Sequence, residues 1–295
     1  MTALSSLFLA LFFSCLVGPL AWADESNCFA AVCQSAGKTR VVSGENGWSY
    51  PIEELRFLTK GVFWGEAALD TGAARNPAHR DPLEPIDDFN RQLADLDVQL
   101  LIVPIPPKAL IYPLPLGCTR EDTRGALGRL RTFYAELRQR GVQVLDLTED
   151  FLALAALAEG RLYEQEEPRL SGIGTKRAAA QISDWLVKHG AGSLSESPPP
   201  LGTSRERSVL LLGDRTVERR EQGAGLPEQL AFLLGQPIDA EKAAGFAATS
   251  SRIELIRLMN ASPGYIKGKR FLIWCFTATD FTEADAWRFV PLPVN

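Results

Sequence analysis

Four stretches of the chain are apolar without alternation: VQLLIVPIP over 98–106, VQVLDL over 142–147, SVLLLGD over 208–214 and KRFLIWCF over 269–276. A run whose odd and even positions are both apolar suits a strand covered on both faces, as in a parallel sheet. GQPIDA, over 235–240, is a weaker fifth run. Between the runs the apolar period lengthens to that of a helix. In REDTRGALGRLRTFYAELRQRG, Leu127, Leu130, Phe133, Tyr134 and Leu137 recur at helical spacing, with Arg129, Arg131, Glu136 and Arg138 on the other faces and Gly141 as a stop. TKRAAAQISDWLVKHG repeats the pattern with Ala179, Ile182, Trp185 and Leu186 inward and Gly190 at its end, and further helices are predicted near 225–235 and over SRIELIRLMN. Strands alternating with such helices predict an α/β fold, a three-layer α/β/α sandwich around a mostly parallel five-stranded sheet. Ligands meet such sheets at the C-terminal strand ends, which directs attention to the loops after Pro106, Leu147, Gly213 and Phe276. HGAGSLSESPPPLGTSRERS, rich in Ser, Gly and Pro, reads as a surface connector within the domain.

The N-terminus changes the picture of where this domain works. Leu7–Leu20 is almost wholly apolar but too short to span a bilayer, and Ala21 and Ala23 follow in an A-x-A pattern. Residues 1–23 are therefore expected to be a signal peptide cleaved after Ala23, leaving 24–295 as one domain in the periplasm; the lack of Lys or Arg before the apolar run keeps an uncleaved anchor as the alternative. Without Cys15, four cysteines remain, Cys28, Cys33, Cys118 and Cys275, compatible with two disulfides in three connectivities, or with Cys275 as a buried free thiol inside FLIWCF. With 46% apolar composition over the 295-residue chain, the roughly 270 residues beyond the leader suffice for one sizeable core. A net charge of −5 gives no general attraction to nucleic acid. No metal or cofactor is expected: there is no CxxC spacing, His79 and His189 are the only imidazoles, and no nucleotide-binding glycine fingerprint or internal repeat is present.

GENGWSYPIEELRFLTKGVFWG, IVPIPPKALIYP and RFLIWCFTATDFTEADAWRFVPLP, in that order along the chain, resemble segments of a known family, the AlgX/AlgJ alginate O-acetylation proteins with their SGNH-hydrolase-like domain. The first is similar to that family's opening G-x-D/N-G-W segment, the second to its V-P-x-P-P-K-x-x-x-Y-P strand end, and the third to its closing block. The likeness spreads over most of 44–293. It implies an SGNH-hydrolase-like fold, a serine in a G-[DT]-S turn, and a D-x-H-W-[ST]-x-x-G motif supplying Asp and His. A hydroxyl needs a base to take its proton, and the base needs a carboxylate to hold its tautomer. Here the corresponding stretch is EEPRLSGIG: with Ser171 and Gly174 aligned, Glu167 takes the Asp position, Arg169 the His position and Leu170 the Trp position, while Gly213 and Asp214 bring Arg215 to the nucleophile's place. Arginine stays protonated near neutral pH, so neither Arg169 nor Arg215 can be a base or a nucleophile there.

Substitutes are scarce. Thr216 carries a hydroxyl but lacks a base, His79 belongs to a polar loop near Asp81 and Glu84, His189 lies at a helix end, and Ser171 reads as the N-cap of the helix that starts near Gly174. The resemblance therefore implies a degenerate acetylation protein, a periplasmic accessory of exopolysaccharide biosynthesis that binds a polyuronate or partners of the acetylation machinery; the alternative is an O-acetyltransferase or acetylesterase with relocated catalytic residues. Arginine forks suit uronate carboxylates, but Glu167 could equally pair with Arg169 or Arg215 and close the site. Ligand contacts are expected from Lys108, Tyr112, Arg169, Asp214, Arg215 and Thr216. Trp48, Tyr50 and Trp64 are read as packing the N-terminal segment onto the sheet, with sugar stacking as the other possibility.

Overall fold

A computed structural model describes residues 27–157, 160–191, 208–218, 225–243, 245 and 247–293. The leader and most of the Ser/Gly/Pro-rich connector lie outside the described residues. The strands are β1 (Val41–Ser43), β2 (Ser49–Pro51), β3 (Gln99–Ile105), β4 (Gln143–Val144), β5 (Val209–Gly213), β6 (Asp239–Lys242) and β7 (Phe271–Thr277). The helices are α1 (Cys28–Ala36), α2 (Ile52–Thr59), α3 (Ala68–Thr71), α4 (Leu83–Ala94), α5 (Lys108–Ile111), α6 (Arg120–Gln139), α7 (Thr148–Leu157), α8 (Gly172–Lys188), α9 (Leu226–Leu234), α10 (Ala247–Ala261) and α11 (Asp280–Glu283).

The five-stranded sheet has the order β4-β3-β7-β5-β6 with every pair parallel. β5 and β7 are its centre, and almost every side chain in them is buried, which is why their sequences carry no polar alternation. β7 sends alternate side chains to opposite layers. Trp274 and Phe276 meet Phe89 of α4 and Phe281 of α11, and Trp274 donates its indole N–H to Ser251 of α10 at 3.1 Å. Phe271 faces the other layer, against Trp185 of α8. Helices on both faces make the three-layer sandwich that the sequence predicts.

Two predicted strands are displaced. Of 142–147 only Gln143 and Val144 pair, opposite Leu101 and Ile102. The short partner leaves Pro104 of β3 beyond the end of β4, so its missing N–H breaks no ladder there. The run at 235–240 enters the sheet four residues late, as the edge strand β6, because Gly235 ends α9 in the left-handed region. The antiparallel hairpin β1–β2, with Asn46 at φ 55° in its turn, was not anticipated.

Of the cysteine arrangements left open, the structure has one disulfide, Cys28–Cys118, with Cys275 as the buried free thiol. Cys33 stays a free thiol in the same helix as Cys28, and Cys275 lies unpaired in the middle of β7, where burial pushes its thiol up to about 12. No helix among the described residues is long and apolar enough to cross a membrane.

Candidate functional site

β5 ends at Gly213, where the chain is packed too tightly for a side chain. A Cβ there would stand 1.8 Å from the carbonyl oxygen of Cys275, so only glycine lets β5 lie this near β7. Asp214 then turns inward, with only 6% of its surface exposed. Its Oδ1 accepts from the Thr216 amide at 2.7 Å, and its Oδ2 from both the amide and the hydroxyl of Thr277 at 3.3 Å. Burial raises its pKa above the usual carboxylate range, opposed by these hydrogen bonds and by Arg215. Arg215, next in the chain, is exposed. Thr216 points away: its hydroxyl donates to the Cys275 carbonyl at 3.2 Å.

The segment 160–170 faces this turn. It folds back on itself through a bridge between Tyr163 and Leu170, with the Glu164 amide donating to the Arg169 carbonyl at 2.9 Å. Ser171 caps α8 by accepting from the Gly174 amide at 3.1 Å. Gly174 is needed because a Cβ would lie 2.0 Å from the Leu162 carbonyl oxygen. Arg169 and Glu167 pair through two contacts, Nε to Oε2 at 2.8 Å and Nη2 to Oε1 at 3.2 Å, both side chains being substantially exposed.

Lys108 supports this segment from below. It is fully buried, and its ammonium donates to the carbonyls of Glu164, Gln165 and Glu167 at 3.1, 3.2 and 3.1 Å while lying 5.0 Å from the Tyr50 ring centroid and 5.6 Å from that of Trp48. Burial lowers its pKa, opposed by Glu54, Glu164 and Glu167. Tyr112 does similar work, its hydroxyl accepting from the Leu162 amide at 3.1 Å and its ring packing at a tilt on Trp48 with centroids 4.9 Å apart. Trp64 packs on Phe63 and Phe133.

Two hollows open beside Arg215. The outer one, 420 Å3, is lined by Glu167, Arg169, Arg215, Glu218 and Lys242, and brings together the three positions that the resemblance singles out. Lys242 is paired with Glu218 at 2.6 Å, whereas Arg215 makes no ion pair among the described residues. The inner one, 280 Å3, shares Arg215 and Gly245 with it and adds Glu54, Asp214, Thr277, Thr279 and Asp280. Lys108, Tyr112 and Thr216 line neither, and both histidines are elsewhere: His189 caps α8 and stacks on Trp185 at 3.8 Å, and the His79 carbonyl accepts from the Trp287 amide at 2.7 Å.

Sequence reasoning missed Glu54. It is 4% exposed, accepts from the Ala109 amide at 2.8 Å, and burial raises its pKa to about 7. In IEELRFLT it reads as one more polar position of an amphipathic helix, and its burial comes from tertiary packing of α2, with α5 supplying the Ala109 amide. Thr277, Thr279 and Asp280 were reachable, since they follow Phe276 at the strand end already marked, Thr277 closing β7 and Asp280 opening α11. Among the described residues no group of three His, Cys, Asp or Glu is placed to hold a metal.

The fold has known relatives. The O-acetyltransferase domain of Pseudomonas putida AlgJ superposes with a TM-score of 0.57 at 16% identity, over 82% of this chain and 92% of that one. Pseudomonas aeruginosa AlgX gives 0.58 at 14% identity, over 88% of this chain and 69% of that one. Among curated protein sequences none matches. Residues 41–247 match the SGNH hydrolase-like domain of the acetyltransferase AlgX, and with most of its length so covered the chain belongs to the AlgX family.

Proposed function

We propose that this protein is a non-catalytic periplasmic accessory of alginate-type exopolysaccharide O-acetylation, which binds a polyuronate across the two hollows beside Arg215. The observation that carries the reading is the occupancy of the strand-end turn: Arg215 follows Asp214 where acyl transfer requires a nucleophile, and Arg169 with Glu167 lines the same hollow. No imidazole lines either hollow, and the hydroxyl of Thr216 is engaged with a backbone carbonyl, so neither hollow holds an imidazole-activated hydroxyl of the serine-hydrolase kind. Arg215, free of ion pairs among the described residues, is a fork for one carboxylate. Export is supported by the apolar leader with its A-x-A end and by the Cys28–Cys118 disulfide, a bond at home in an oxidising compartment.

The purified mature chain is expected to release no acetate from an activated acetyl ester above the buffer rate. It is expected to bind an oligouronate with an affinity that falls as salt rises. Loss of a charge-assisted hydrogen bond costs about 1.5–3 kcal/mol, so Arg215→Ala should weaken binding roughly tenfold or more. Ester turnover by the wild type, or oligouronate affinity unchanged in Arg215→Ala, would sink this reading.

A further inference from the structure

The two hollows differ in the chemistry they offer, and Arg215 is their border. Outside it stand Arg169 and Lys242 with their acidic partners. Inside it, Glu54, Asp214 and Asp280 are all at least nine-tenths buried, beside Thr277, Thr279 and the half-buried Glu53. The inner carboxylates are held in place: the Ala109 amide fixes Glu54, and the Thr216 and Thr277 amides fix Asp214. A ligand carboxylate on the border guanidinium directs the ring that bears it into the inner hollow. At 280 Å3 that hollow lies at the low end of the roughly 300–1,000 Å3 usual for small-molecule sites, so it suits a single sugar ring.

We propose that the inner hollow selects uronate rings with free hydroxyls and rejects their O-acetyl esters. The specificity rests on the polyuronate binding proposed above and deepens it. Fixed carboxylate oxygens accept hydrogen bonds. A ring hydroxyl donates one, but an acetyl ester at the same oxygen has only acceptors, so the buried carboxylate loses its partner and faces a carbonyl instead. The ester also adds bulk to a space already filled by one ring. Sites built to hydrogen-bond a hydroxyl discriminate strongly against analogues that lack it. An accessory with this preference would hold stretches of polymer not yet esterified and release them once acetylated.

The test is calorimetric titration of the full mature chain near about pH 8.5, where Glu54 is ionised and only accepts hydrogen bonds, with three oligouronates of equal length: unmodified, chemically O-acetylated, and reduced at the carboxyl groups. The unmodified oligomer is expected to bind at least tenfold more tightly than the acetylated one, and the carboxyl-reduced one weakly. Glu54→Gln keeps an acceptor for the Ala109 amide and gains an N–H that can donate to an ester carbonyl, so the gap should narrow to about threefold. The wild-type comparison decides the matter even if that variant folds poorly. Equal or tighter binding of the acetylated oligomer overturns the specificity alone. Binding of none of the three removes the polyuronate reading and the specificity with it.

Discussion

At the residue scale the site is set by side chains that have little room to change. Gly213 and Gly174 each let a backbone carbonyl approach to where a Cβ would be, and Gly213→Ala is expected to force β5 from β7 at a cost of about 3 kcal/mol or more, read as a lowered urea midpoint. Glu54 makes a different prediction, in pH. It faces Lys108, Glu53, Tyr50 and Tyr163, and burial raises its pKa to about 7 from about 4.5. The folded state then holds this proton more tightly than the unfolded chain does. The stability it contributes is present below about pH 4.5 and is lost as pH rises through about 7, an effect on the order of 3 kcal/mol at most. Wild type and Glu54→Gln should therefore be similar near about pH 5, with the variant the more stable near about pH 8. A stability difference that does not grow with pH over that window would show that Glu54 titrates normally. None of this was visible in the sequence, where Glu54 has no feature to separate it from Glu53.

At the scale of elements, the long apolar runs translate directly into β3, β5 and β7, because a strand buried on both faces leaves no choice of residue type. Short or exposed elements were harder to read. β1 and β2 have three residues each, so neither periodicity nor composition marks them, and β6 is mostly polar at the sheet edge, so only its first residues show in the weak run at 235–240. The segments that carry the family resemblance turn out to have a shared structural task. GENGWSY supplies the Trp48 and Tyr50 rings and Ser49, whose hydroxyl donates to the Glu166 carbonyl at 2.6 Å; PPKALIYP supplies Lys108 and Tyr112; together they hold the segment that bears Glu167 and Arg169. The sequence places Lys108 and Tyr112 at the correct sheet end, but the ammonium meets backbone carbonyls inside the protein. Lys108→Met leaves three carbonyls without their donor and should cost about 3 kcal/mol or more. Hydrogen exchange should accelerate first at the Glu164 and Ser171 amides, which close the folded-back segment. Uniform acceleration across the sheet instead would mean that Lys108 supports the whole fold rather than this rim.

Across the whole molecule, the N-terminal helix is tied to the rest by a covalent cross-link. α1 packs on α2, and Cys28 in its first turn is bonded to Cys118, just ahead of α6, at a sequence separation of 90. The cysteine count left the pairing open, and geometry resolves it: Cys33 shares a helix with Cys28, and Cys275 is sealed between the two layers of helices. Closing a loop of this length removes much freedom from the unfolded chain, and native disulfides of the kind contribute about 2–4 kcal/mol. The double replacement Cys28→Ser with Cys118→Ser should therefore lower the urea midpoint by a corresponding amount, and reduction of the wild type should do the same. The Arg215 hollows lie at the C-terminal ends of β5 and β7, on elements that the bond does not join, so oligouronate affinity measured well below the unfolding transition should be unchanged. Loss of binding together with the disulfide would instead couple α1 to the site through α2, whose Glu54 lines the inner hollow, and would make oxidation a condition for function as well as for stability.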